Sequence, residues 1–207
     1  SLAADTPANA EVIVWEVQDI QNQAFKIPST QPSVLVFGIA DQEATQKALT
    51  QVKELLNGAS DFQILLIVSG PSAAQKAADV RGDLTWRVQV DTDYSSSAKF
   101  HVSVWPSFVV VRPDGEIAGH VASLSAQTNR NLDIYMDYAR GKMDRAAMEK
   151  AIHSAAVVED TLRHVLLEFG GVHGHHLFEV ERIPAPAAAL DGRQCPAPGD
   201  DEEHAQR

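Results

Sequence analysis

Short, nearly unbroken apolar runs alternate along this chain with longer stretches in which apolar residues recur every three or four positions. Residues 33–39 and 62–68 are almost continuously apolar, the pattern of strands buried on both faces. Residues 11–17 alternate and are β-branched, which predicts another strand. Residues 85–90 predict a short strand. Residues 107–112 and 116–121 predict two more, joined through the turn chemistry of Pro113, Asp114 and Gly115. Residues 19–32 are polar with two prolines and read as a loop holding a short hairpin around Asn22. Ala44, Ala48, Val52, Leu55 and Leu56 recur at helical spacing, so a helix is expected from Asp41, as its cap, to about Leu56, ended by Asn57 and Gly58. Further helices are expected over 72–80 and from 91–93 through Phe100.

Beyond residue 126 the period is helical. Leu132, Tyr135, Met136 and Ala139 share one face, Gly141 interrupts it, and Asp144 restarts it. Met148, Ile152, Ala155, Val158, Leu162, Val165 and Leu166 then form a long stripe that Gly170 and Gly171 stop. That stripe must be covered, either by its own domain or by a second copy, so a homodimer through residues 144–169 is one expectation. Residues 177–183 alternate as a short strand does, and Pro184, Pro186, Pro196 and Pro198 mark a linker-like tail. The chain therefore reads as a disordered lead (1–10), an α/β domain (11–140), a helical extension (141–171), and a His-containing loop with a flexible Pro/Ala-rich acidic tail (172–207).

The 207 residues, 44% of them hydrophobic, suffice for one full core plus an appendage. A net charge of −11 repels phosphate backbones, so no nucleic-acid partner is expected. Asp200, Asp201, Glu202 and Glu203 contribute to that charge as a solvated tail. No run approaches about 18 apolar residues, so no membrane span is expected. Leu2, Ala3 and Ala4 have the small-residue chemistry of a cleaved leader, and equally that of a cloning boundary. One cysteine, Cys195, excludes any intramolecular disulfide and any zinc site built on cysteines.

Three passages, in order and at consistent spacing, resemble the thioredoxin superfamily, and within it the TlpA/ResA-like redoxins. Val34 to Phe37 before a helix is similar to the strand that delivers the family's active site. Gln89 to Asp93, followed by Phe100 to Ser107, is similar to the segment ending in its cis-proline, here Pro106. Phe108 to Ile117 is similar to its strand, Asp-Gly, strand hairpin. The resemblance covers about residues 11–125. It implies a thioredoxin-like α/β fold, a mixed central sheet flanked by helices, and an extracytoplasmic or periplasmic setting. It also implies thiol–disulfide chemistry, which this chain lacks the means to perform. The family's two cysteines fall on Gln42 and Thr45, with Glu43 and Ala44 between, and none of these supplies a thiolate. Trp105 stands before the proline, either as a packing residue or as an aromatic platform for a partner.

The function expected from this departure is a redox-inactive binding or assembly module. It would hold a protein or peptide partner at the former active-site groove, formed by Asp41, Gln42, Glu43, Thr45, Trp105, Pro106 and the loop 69–72. Two alternatives come from outside the resemblance. His173, His175 and His176 on a glycine loop offer imidazole ligands for Zn or Cu in a metal-binding accessory protein. Cys195, beside Arg193 and Pro196, would serve a thiol oxidoreductase acting through one sulfur. No resident cofactor is otherwise expected.

Overall fold

The structure, a computed structural model, describes residues 11–154. The elements are β1 (Trp15–Gln18), β2 (Ala24–Ile27), β3 (Ser33–Ile39), α1 (Glu43–Asn57), β4 (Gln63–Ser69), α2 (Ala73–Arg81), β5 (Arg87–Asp91), α3 (Ser95–Lys99), β6 (Ser107–Val111), β7 (Ile117–Ala122) and α4 (Thr128–Ala139). Residues 145–154 are again helical. Five strands form one sheet in the order β5-β4-β3-β6-β7, and β1 pairs with β2 in a separate hairpin. β3, β4 and β5 run parallel; β6 and β7 run antiparallel to the strands beside them.

The apolar runs become central strands because both faces of the sheet are covered. Side chains alternate across a strand, so each run splits between two cores. Val34, Val36, Leu66, Val68, Phe108 and Val110 face one core, which is closed by Ala48, Leu49, Val52 and Leu56 of α1, by α2, and by Leu132 and Met136 of α4. Leu35, Phe37, Leu65, Ile67, Val109 and Val111 face the other, closed by Phe25 and Ile27 of β2 and by Phe100 and Val102 after α3.

Residues 11–13 depart from the expected strand. They run beside the β6–β7 turn, where Ile13 N–H donates to Gly115 O (2.8 Å), Ile117 N–H donates to Glu11 O (3.0 Å) and Val12 bridges Glu116. β1 consequently begins only at Trp15. Gly115 is required there: its φ is +91°, and a Cβ would stand 2.5 Å from Ile13 O.

The hairpin is fixed to β5 by Asp19, which accepts from Gln21 N–H, Gln23 N–H (both 2.9 Å) and Arg87 Nε (2.7 Å). At the far end, Asp144 accepts from Ala147 N–H (2.8 Å) and caps the restarted helix. Met148 is buried in the first core and Ile152 packs against it, so this part of the long stripe is covered by its own domain. Glu116 ties α4 and the restarted helix to the β6–β7 turn, accepting from Tyr138 Oη of α4 (2.7 Å) and from Arg145 of the restarted helix. Among the described residues no helix is long and apolar enough to cross a membrane.

Candidate functional site at the carboxyl ends of the parallel strands

β3, β4 and β5 end side by side at Ile39, Ser69 and Asp91. The crevice outside the carboxyl ends of parallel strands is where open α/β sheets place their ligands. Here it is walled by the start of α1, the loop before α2, the turn into α3 and the loop into β6.

Gln42 is the N-cap of α1 and makes no side-chain capping bond; Thr45 N–H donates to Gln42 O (3.0 Å), and the N–H groups of Glu43 and Ala44 have no hydrogen-bond partner among the described residues. Glu43 adds a carboxylate to that turn, paired with Lys47 at 2.9 Å. The expected capping role of Asp41 does not hold, because its carboxylate turns to the next element instead. It meets Lys76 Nζ at 2.5 Å and accepts from the Ser72 hydroxyl, linking the starts of α1 and α2. The hydrogen bonds from Lys76 and then Ser72 hold the Asp41 carboxyl below the usual aspartate range. Thr45 is a second correction: it does not line the surface. It is buried, and its hydroxyl accepts from Ile39 N–H and donates to Ile39 O, both at 3.0 Å. Its methyl lies against Gly38, where any Cβ would collide with it. Thr45 therefore supports the rim from beneath.

The opposite wall is the loop into β6. The Trp105–Pro106 peptide bond is cis, as is Ile27–Pro28. Pro106 is buried and its carbonyl accepts from Ser123 N–H (2.9 Å), while Val104 is 47% exposed. Among the described residues neither the N–H nor the C=O of Trp105 has a hydrogen-bond partner. Its side chain takes the packing role in part. It is half-buried against the second core, and its ring meets Tyr94 edge-on with centroids 5.6 Å apart. The indole Nε1 is buried without a partner.

Two features of this wall were not anticipated from the sequence. One is Asp91, 1% exposed, whose carboxylate accepts from the N–H groups of Ser96 and Ser97 (3.0 Å each) and from the hydroxyls of Ser97 (2.8 Å) and Ser69 (3.2 Å). It binds the start of α3 to the ends of β4 and β5. The other is backbone strain. Four non-glycine residues among those described have left-handed backbone, and three of them surround the loop. Tyr94 (φ 60°) touches Trp105, His101 (φ 54°) precedes Val102, and Ser123 (φ 68°) donates to Pro106. Such conformations cost about 1–3 kcal/mol each and cluster at functional sites.

A groove of about 450 Å³ continues from the α1 start along Glu43, Gln46, Lys47 and Gln51 to Leu124. The cleft at the other end of the sheet, about 340 Å³ beside Asn57, Phe62 and Trp86, includes none of the expected site residues. Of the expected site residues, Asp41, Gln42 and Glu43 follow the carboxyl end of β3, and Trp105 and Pro106 lead into β6 beside that same strand, where Phe37 pairs with Ser107. His173, His175, His176 and Cys195 lie outside the described residues. Among those described, no group of three or more His, Cys, Asp or Glu could hold a metal ion.

No family profile matches the chain, and no curated protein does. Solved structures do. DsbF of MTB is 18% identical, with a TM-score of 0.51 over 60% of this chain and 94% of its own. A protein from Chlorobium tepidum assigned as thiol:disulfide interchange protein DsbE is 10% identical, with a TM-score of 0.55 over 63% and 95%. The exposed lipoprotein thioredoxin Etrx1 of Streptococcus pneumoniae is 14% identical, with a TM-score of 0.51 over 60% and 99%. With a five-stranded mixed sheet, helices packed on it and a cis-proline at the entrance of β6, this chain has the thioredoxin-like fold of these structures.

Proposed function

We propose that this domain is a redox-inactive thioredoxin-like module that holds an extended segment of a protein or peptide partner between the start of α1 and the Trp105–Pro106 loop. The observation that carries the reading is the unpaired N–H and C=O of Trp105 where the chain enters β6. Unpaired main-chain groups at a strand entrance are the recognition element of strand addition, in which the partner's backbone supplies the missing bonds. That mode needs no sulfur. Thiol–disulfide exchange needs a thiolate attacking a disulfide, and the facing helix start presents the Gln42 amide and, beneath it, the Thr45 hydroxyl. The module as proposed uses no metal or cofactor. It works outside the cytoplasm, a setting supported by the resemblance in fold to an exposed lipoprotein thioredoxin.

Restoring the sulfur tests the redox half of the reading. Position 42 is the N-cap and position 45 lies one turn on, a separation within the reach of a disulfide. In the double variant Gln42→Cys, Thr45→Cys the thiol at position 42 gains the helix N-terminus that lowers thiol pKa values. The variant is expected to form that disulfide and to catalyse insulin reduction by dithiothreitol, with the unaltered chain giving no rate above background. Insulin reduction by the unaltered chain, abolished by Cys195→Ser, overturns the reading.

A further inference from the structure

We infer that the partner segment carries an aromatic or large aliphatic side chain together with a lysine or arginine, read by a corner that Tyr94, Trp105 and Asp93 form at the mouth of the crevice. This inference rests on the groove reading above and deepens it.

Three observations carry it. The edge-on pair of Tyr94 and Trp105 leaves part of the Tyr94 ring exposed beside an unpaired strand entrance. Tyr94 is 37% exposed, and neighbouring Val104 adds a second exposed apolar side chain. Tyr94 is also held deliberately. Its backbone is left-handed, an uncommon state for a bulky residue, and its carbonyl is pinned by Ala98 N–H at 2.8 Å. Gly70, just after β4, has a φ of +111° and lies beside the Tyr94 hydroxyl, which a Cβ there would meet at 3.4 Å, an ordinary contact distance. Local propensity does not place an aromatic there, and removing it would relax the turn.

Charge supplies the third observation. Asp93, next to Tyr94, is exposed and has no cationic partner among the described residues. The other carboxylates of the crevice rim, Asp41 and Glu43, are already paired with Lys76 and Lys47. Asp93 is thus the free anion of the rim. The hydrogen bonds of Ser95 hold the Asp93 carboxyl below the usual aspartate range. A cationic side chain entering beside the corner gains Asp93 and the Tyr94 ring face together. A segment bearing a carboxylate there meets repulsion from Asp93 and from the net charge of −11.

The test uses the full chain and three fluorescein-labelled nonapeptides, measured by fluorescence polarisation. The first is Ser-Ala-Lys-Val-Phe-Val-Lys-Ala-Ser. The second has serine for phenylalanine, and the third has glutamate for both lysines. The first peptide is expected to bind about tenfold or more tightly than either of the others, the scale set by burying one apolar side chain. Tyr94→Asn, which suits the left-handed backbone, is expected to erase the preference for phenylalanine while leaving the melting temperature unchanged or higher. Asp93→Asn is expected to erase the preference for lysine over glutamate and leave the preference for phenylalanine intact. Equal binding of all three peptides, weakened by Trp105→Ala, overturns the corner and leaves the groove. A preference for phenylalanine that survives Tyr94→Asn also overturns the corner. Absence of binding by any of the peptides overturns the groove reading and the corner with it.

Discussion

Trp105→Ala separates packing from recognition, because its half-buried side chain carries little of the core while the proposed groove gives it a central place. A fully buried aromatic truncated to alanine costs about 3–5 kcal/mol of stability. Phe37, wholly buried and 5.9 Å from the Phe100 ring, meets that description. Trp105 does not, being only half-buried. Removing it forfeits part of the burial and the edge-on contact with Tyr94, about 0.5–1.5 kcal/mol for such a pair. It also removes an indole N–H that is buried without an acceptor, whose desolvation works against the fold by about 1–3 kcal/mol. The net destabilisation expected is about 1–2 kcal/mol, clearly smaller than for Phe37→Ala. The binding loss expected is at least about 2 kcal/mol, or roughly thirtyfold in affinity, as for an interface tryptophan. Urea unfolding of both variants gives the first quantity, and polarisation with the phenylalanine peptide gives the second. Should Trp105→Ala destabilise as much as Phe37→Ala while the folded fraction binds peptide unchanged, Trp105 is a packing residue and the groove loses its platform.

Two further outcomes follow from the polar framework. Asp91→Ala strands the N–H groups of Ser96 and Ser97 in the interior, at about 1–3 kcal/mol each; a loss of roughly 2–6 kcal/mol in urea unfolding is expected, and a loss below about 1 kcal/mol contradicts the buried network. Asp61, Asp83 and Asp137 are held below the ordinary aspartate value of 3.8, chiefly by Arg140, Lys53 and Lys142 respectively, with burial opposing. A carboxyl whose pKa is lower when folded favours the folded state fully above its unfolded value and loses that contribution as pH falls through the folded one. The ion pairs are therefore expected to keep their contribution from pH 7 to about 5 and to lose it below about 4, while His120, held below the usual histidine value of 6.5 by burial, adds a fall as the pH drops past that value; a urea midpoint that rises on acidification contradicts the ion pairs.

Much of the fold was legible because its central strands are locally unambiguous. The run 33–39 coincides with β3, and the run 62–68 is one residue out of register with β4. A strand buried on both faces announces itself by apolar continuity, whatever it later pairs with. Residues 11–13 belong to an alternating run that reads locally as one strand with residues 14–17, yet they are claimed by the β6–β7 turn a hundred residues away, and no local pattern reports that. Asp41 was misread for the same reason. As a short acid before a helix it suits a cap, but Lys76 of α2 takes it. Thr45 sits at the position implied by the resemblance, and its inward direction emerges only once Gly38 and Ile39 lie beneath it. Tyr94 left no signal, since nothing in a tyrosine before a serine run announces a left-handed backbone or a tryptophan eleven residues on. Asp91 read as part of a helix start; its burial depends on β4 delivering Ser69 beside it.

The central claim is that the crevice at the carboxyl ends of the parallel strands binds an extended segment through the Trp105 main chain. Titrating the phenylalanine peptide into ¹⁵N-labelled protein and following the backbone amide resonances tests it most directly. The largest shifts are expected at Val104 and Trp105 on one wall and at Glu43 and Ala44 on the other, with the Trp105 amide slowed in hydrogen exchange once the peptide supplies its acceptor. Shifts centred on Asn57, Phe62 and Trp86 at the opposite end of the sheet, or a Trp105 amide that exchanges as fast in the saturated complex as in the free protein, contradict it.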